Sequence, residues 1–209
     1  MVLELQASLF DSGSGVGPLA PARTVLKHGA WVDHQPGWLE GGDELFLALM
    51  REVPWRAERR QMYDRVVDVP RLVAFYEEGS LLPHSELTEA REALSAHYAA
   101  ELGEPFTTAG LCLYRDGRDS VAWHGDRIGR SRLHDTMVAI VSLGESRRLM
   151  LRPSGGGSSI GFELGHGDLL VMGGSCQRTW EHAVPKVAQS VAQSRGPRIS
   201  VQFRPHDVR

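Results

Sequence analysis

The sequence predicts an α+β fold that is mainly β, with an antiparallel sandwich or barrel in its second half and a helical first half laid over it. Three observations predict this. Residues 85–103 repeat apolar side chains at helical spacing, residues 107–204 fall into short β-type runs, and clusters of glycine, proline and serine divide those runs.

Taken in order, DSGSGVGPLAP (11–21) reads as loop, because its glycines, serines and prolines favour turns over repeating structure. DELFLALMREV (43–53) spaces Leu45, Phe46, Leu49 and Met50 along one helical face behind Asp43, an expected N-cap. In SELTEAREALSAHYAAELG (85–103), Ser85 is the expected cap and Leu87, Ala90, Leu94, Tyr98 and Leu102 line one face. Gly103 stands where a helix C-terminus favours glycine. Beyond residue 104 the runs 107–115, 136–144, 147–153, 160–164, 168–173 and 198–204 read as strands. SGGGSSIG (154–161) lies between two of them and does not match G-x-G-x-x-G, so a hairpin turn is expected rather than a phosphate cradle.

The totals narrow the function classes. At 209 residues the chain can bury a core without staples, and two cysteines, Cys112 and Cys176, are too few for a disulfide framework. MVLELQASLFDSGSG lacks the basic and apolar regions of a signal peptide, and no run approaches a membrane span. A cytoplasmic protein with no membrane or protein partner is expected. The net charge of −3 argues against a uniformly basic nucleic-acid binder, yet its distribution is uneven. Residues 51–71 hold six arginines against four acids and 115–132 hold five against three, whereas 77–104 hold seven glutamates against one arginine.

The chemistry concentrates in SVAWHGDRIGR (120–130). In an extended chain His124 and Asp126, two apart, point to one side. An imidazole and a carboxylate so placed are two of the three ligands of a 2-His-1-carboxylate iron site. Of the nine histidines, His182, after the aromatic run RTWEH, is the best candidate for the third. In RISVQFR, Arg198, Ser200, Gln202 and Arg204 share one face and Ile199, Val201 and Phe203 the other. Buried arginines need anionic partners, and a dicarboxylate would supply them. H-x-D, a late histidine and R-x5-R together point to iron(II) and 2-oxoglutarate.

These residues resemble the AlkB-like family of 2-oxoglutarate and iron(II)-dependent dioxygenases. The matching stretches are YRDGRD (114–119) with WHGD (123–126), HGDLLVMGGSCQRTWEHAVPK (166–186) and PRISVQFR (197–204). The resemblance implies a double-stranded β-helix (jelly-roll) core over residues 105–209. Residues 1–104 would be an N-terminal extension with helices and a nucleotide-recognition lid, the whole chain, 1–209, being one domain. It implies that His124, Asp126 and His182 hold iron(II) and that Tyr114, Arg198 and Arg204 bind 2-oxoglutarate. With dioxygen, the reaction would hydroxylate an N-alkyl group on a base of DNA or RNA, releasing formaldehyde, succinate and CO2. Trp123, Arg71 and Tyr76 are expected substrate contacts, PRLVAFY (70–76) entering the lid. Two positions depart from the pattern: Cys112 stands where relatives place asparagine, and Ile128 where they often place an acid. Two other classes compete with base dealkylation. One is a 2-oxoglutarate oxygenase acting on a small molecule or protein side chain. The other is a zinc hydrolase or metal-binding barrel, which would leave Arg198 and Arg204 without a role.

Overall fold

The structure, a computed structural model, describes residues 15–62, 65–127 and 129–208, and leaves the side chains of 59–62, 65–68 and 130 undescribed. The chain begins with strands β1 (Gly15–Val16), β2 (Ala22–Val25), β3 (Ala30–Gln35) and β4 (Leu39–Glu40). Helix α1 (Asp43–Glu52), the antiparallel pair β5 (Arg56–Met62) and β6 (Arg65–Tyr76), and helix α2 (Ser85–Leu102) follow. Then come β7 (Thr108–Tyr114), β8 (Val121–His124), β9 (Val138–Gly144), β10 (Arg147–Pro153), β11 (Ile160–Leu164) and β12 (Leu169–Gly174). A single helical turn, α3 (Cys176–Thr179), leads to β13 (Trp180–Val184) and the closing β14 (Arg198–Arg204).

The strands form an eight-stranded sheet in the order β2-β3-β12-β9-β14-β7-β6-β5 and a four-stranded sheet in the order β11-β10-β13-β8. Every pairing among the described strands of both sheets is antiparallel. The period-2 alternation of each central strand sorts its side chains between two cores. Ala139, Val141 and Leu143 of β9 and Ile199, Val201 and Phe203 of β14 pack on one face against Leu45 and Leu49 of α1 and Leu87, Ala90, Leu94 and Tyr98 of α2. Val138 and Ile140 of β9, with Tyr114, Leu170 and Met172, face Leu149, Leu151, Trp180 and Val184 of the smaller sheet. The result is three layers: helices, large sheet, small sheet, with the mainly β character of a jelly roll.

The expected helical first half is corrected: α1 and α2 are there, but strands make up most of the rest. β3 pairs with β12 and β6 with β7, so both are held by partners far along the chain, which local periodicity cannot reveal. A buried Asp33 in β3 anchors this edge. It accepts from Arg23 Nε at 2.7 Å and from the Tyr98 hydroxyl at 2.9 Å, tying α2 to β2 and β3. Both expected caps shift by one residue. Gly42 precedes α1, leaving Asp43 in the first turn, and His84 caps α2 by accepting the Glu86 N–H at 3.4 Å. Gly103 ends α2 in the left-handed region, as expected. The 154–161 segment joins the hairpin β10–β11, and Gly155, Gly156 and Gly157 all adopt positive φ (87°, 103° and 125°), which explains the glycine run. Of the expected loop at 11–21, residues 11–14 lie outside the described residues and 15–16 pair with β4. No described helix is long and apolar enough to cross a membrane.

Candidate active site

His124 ends β8 directly across from His182 on β13, so neighbouring strands of the small sheet present two imidazoles to the same space. Their ring centroids are 4.2 Å apart. The Nδ1 of His124 lies 2.9 Å from the Ala122 carbonyl; a proton donated there leaves Nε2 facing Asp126 Oδ1, 3.8 Å away. Helix α3 sets the turn that carries Asp126, because the Asp126 N–H donates to Gln177 Oε1 at 3.0 Å and the Ser131 hydroxyl donates to the Asp126 carbonyl. Gly125 is required between the two: a Cβ there would lie 2.7 Å from the Gln177 carbonyl oxygen. One ligand atom from each of His124, Asp126 and His182 lies within 4.8 Å of the others, the only such cluster among the described residues. Burial opposes charge on Asp126, but Arg204 and the two imidazoles hold its carboxyl well below the usual carboxylate range. Burial, then His124, pushes His182 down to about 3, leaving a neutral imidazole with a free lone pair. Two imidazole nitrogens and one carboxylate form a donor set for iron(II).

The inner face of the large sheet completes the cavity. Arg204 Nε donates to Asp126 Oδ2 at 2.7 Å, steadying the carboxylate from β14. Arg198, 1% exposed, donates from Nε to Ser142 Oγ at 2.9 Å, and neither Nη1 nor Nη2 has a partner. Its Cζ lies 5.3 Å from the centre of the Tyr114 ring. Tyr114 is buried and its phenol is pushed up to about 12, so it stays a neutral donor. A buried guanidinium with two unused nitrogens is costly unless an anion meets it. These residues therefore suit a carboxylate end of 2-oxoglutarate as well as the cluster suits the metal.

A family model described as the 2OG-Fe(II) oxygenase superfamily matches residues 40–204. The chain belongs to that superfamily. Its relatives make it AlkB-like. Alpha-ketoglutarate-dependent dioxygenase alkB homolog 3 of Bos taurus is 32% identical over 193 residues, covering 81% of this chain and 64% of that protein. The Homo sapiens protein of that name is 29% identical, covering 95% of this chain and 69% of its own. DNA oxidative demethylase ALKBH2 of Homo sapiens is 28% identical over 78% of this chain and 67% of its own. The chain thus spans about two thirds of the length of these relatives. The solved structure of OsALKBH1 superposes with a TM-score of 0.60 at 15% identity, over 88% of this chain and all of that one. An oxidoreductase of the 2OG-Fe(II) oxygenase family from Burkholderia pseudomallei gives 0.57 at 12%, over 83% of this chain and 84% of its own. These two show a shared fold. Membership implies iron(II), 2-oxoglutarate and dioxygen.

Within this 2OG-Fe(II) oxygenase, six expected site residues (His124, Asp126, His182, Tyr114, Arg198 and Arg204) come together, and two of the three expected substrate contacts do not. Tyr76 packs into the helix-side core, while its neighbour Phe75 reaches the cavity face near Arg204. Trp123 lies on the far side of β8 from His124, beneath Arg152, whose Cζ is 4.2 Å from the ring and which pairs with Glu181 at 3.0 Å. Arg71 does face the cavity. Ile128 lies outside the described residues. Sequence inspection missed Gln177, which orients Asp126, and Ser142, which holds Arg198. It also missed Arg147, whose guanidinium donates to the carbonyls of Asp116 (3.1 Å), Asp119 (2.8 Å) and Pro185 (2.8 Å). Each acts through a contact between distant strands or loops, and no spacing signals it.

Proposed function

We propose that this chain is a DNA dealkylase: it oxidises N-alkyl groups on damaged bases, using iron(II), 2-oxoglutarate and dioxygen. The observation that carries the oxygenase chemistry is the cluster of His124, Asp126 and His182 beside a buried Arg198 with two unpartnered nitrogens. The relatives named as DNA oxidative demethylases and the arginine-rich 51–71 segment support nucleic acid as substrate. On this reading the triad holds iron(II), which supplies the oxidising power when dioxygen and 2-oxoglutarate are present. Arg198 and Tyr114 take one carboxylate of 2-oxoglutarate, and Arg204 serves both that cosubstrate and Asp126. The balance is one N-methyl group, dioxygen and 2-oxoglutarate giving N-hydroxymethyl, succinate and CO2. The hydroxymethyl then leaves as formaldehyde, returning a proton to the nitrogen. The target base has to be turned out of its stack to reach the cavity. On this reading residues 105–209 supply the catalytic core, and a large sheet that draws strands from both halves of the chain supports a single domain. The unpaired Cys112 and Cys176 agree with a reducing, cytoplasmic setting.

The test is mass spectrometry on single-stranded oligonucleotides, each carrying one N-methylated base, incubated with protein, iron(II), 2-oxoglutarate and ascorbate. Loss of one methylene mass that needs 2-oxoglutarate and disappears in His124→Ala is expected. Succinate formed while every oligonucleotide stays intact would redirect the assignment to a small molecule or protein side chain.

A further inference from the structure

Arg71 stands at the cavity wall with Cys112 as a hydrogen-bonding neighbour and its Nε left without an acceptor. Leu72, Ala74 and Tyr76 of β6 pack against the helices, so Arg71, Val73 and Phe75 lie on the opposite face, the one that carries Tyr114 and Arg204. Val73 stands opposite Cys112, and the Ser120 N–H donates to the Pro70 carbonyl at 2.8 Å, which brings Arg71 beside the chain entering β8. The side chain is half-buried, and its Nε is buried with no hydrogen-bond partner. Cys112, Tyr114 and Glu58 are its electrostatic neighbours, and its charge is felt at His182. Burial works against the charge, but those neighbours keep the guanidinium protonated.

A guanidinium offers only donors, so it can meet a carbonyl oxygen and cannot meet an exocyclic amine. Bases alkylated on a ring nitrogen divide on this point. 3-Methylthymine carries a carbonyl, O4, where 3-methylcytosine carries an amino group, and 1-methylguanine carries O6 where 1-methyladenine carries an amino group. The two carbonyl bases are neutral and the two amino bases are cations. A cation brought against Arg71 meets like charge in a low-dielectric site, whereas Arg204 is already paired with Asp126.

We propose that Arg71 makes neutral N-alkylated bases the preferred substrates of this site, its Nε–H donating to the carbonyl (O4 of thymine, O6 of guanine) that stands where the cationic bases carry an amino group. This rests on the nucleic-acid assignment above. Glu58 is the competing group, since its carboxylate could accept from an exocyclic amine and favour the cationic bases instead.

Matched single-stranded oligonucleotides carrying 3-methylthymine or 3-methylcytosine separate the two. Their affinities are measured by fluorescence anisotropy without dioxygen, and their turnover in competition by mass loss. The wild-type protein is expected to favour 3-methylthymine by about tenfold in both, the size of one hydrogen bond to a charged donor. Arg71→Lys, which keeps the charge but loses the Nε–H, should bring the ratio close to one; Glu58→Gln should leave 3-methylthymine ahead. A preference for 3-methylcytosine that Glu58→Gln abolishes, or a 3-methylthymine preference unchanged in Arg71→Lys, would overturn the role of Arg71 and leave the dealkylase assignment standing. Succinate formation with neither oligonucleotide bound or altered would overturn both.

Discussion

Arg198 keeps its Nε on the Ser142 hydroxyl and leaves two guanidinium nitrogens unsatisfied at 1% exposure. Burial also pulls its pKa down, the direction expected for a charge removed from water without a counter-ion. Such an arrangement lowers stability in order to bind an anion. Arg198→Met, similar in length and uncharged, is expected to stabilise the ligand-free protein by about 1–3 kcal/mol. It should also abolish the rise in melting temperature that 2-oxoglutarate gives the wild type, worth roughly 2.7 kcal/mol at a hundredfold excess over Kd. A variant that melts lower than wild type without ligand, or still shifts with 2-oxoglutarate, would refute this. The sequence made Arg198 and Arg204 visible because β14 alternates polar and apolar side chains, and that alternation fixes which face each occupies. The same logic failed for PRLVAFY, where apolar residues occupy both faces and nothing local says which one meets the cavity. A one-residue step exchanges Tyr76 for Phe75. Trp123 shows the same effect: adjacent to His124 in sequence, it lies across the strand from it in space.

The connection from β7 to β8 carries the chain from Tyr114 on the large sheet to His124 on the small one, so its shape sets how the two halves of the site meet. Asp119 closes it. Its carboxylate accepts from the Arg115 backbone N–H at 2.9 Å and side chain at 2.8 Å, while Arg147 of β10 clamps the carbonyls of Asp116 and Asp119. Burial alone would raise the Asp119 pKa, but the Arg115 bonds hold it below its ordinary value. A carboxylate lowered in the folded state contributes stability above its unfolded pKa of about 3.9 and loses it as pH falls through the folded value. Asp119→Asn should therefore cost about 1 kcal/mol at pH 7, and the gap from wild type should close as the pH drops below about 4. Denaturant titrations across that range check it, and a gap constant with pH would show that the charge is irrelevant. Among elements, β10, β11 and β14 were legible to the residue, because glycine and proline bracket them and their composition is β-like. The first half was not. AWVDHQ and RVVDVPRLVAFY become strands because β12 and β7 offer them free edges, which is a property of the assembled sheet.

Charge over the whole molecule is sorted by layer. Glu86, Glu89, Glu92 and Glu101 ride on α2, on the helical side of the large sheet, and Arg115 and Arg118 are tied to Asp119 and Asp116 in ion pairs of 2.8 and 2.6 Å. The second arginine-rich stretch of the sequence is thus partly neutralised within its own loop. The first is different. Arg56 is exposed and stands opposite Val73 across β5 and β6, so it lies on the same face as Arg71 at the cavity edge. A net charge of −3 is thus compatible with positive charge from Arg56 and Arg71 at one edge of the site, a rim to which a polyanion could be drawn. If that rim contacts three or four phosphates of a single strand, log Kd should rise with log salt at a slope of roughly 2 to 3. Arg56→Ala, which removes one such contact, should lower the slope by about 0.7 and weaken all sequences alike. Anisotropy titrations from about 50 to about 200 mM salt measure both. A slope near zero would mean that the rim does not carry the strand. A normal slope unaltered by Arg56→Ala would move the contact away from β5, to another part of the cavity edge.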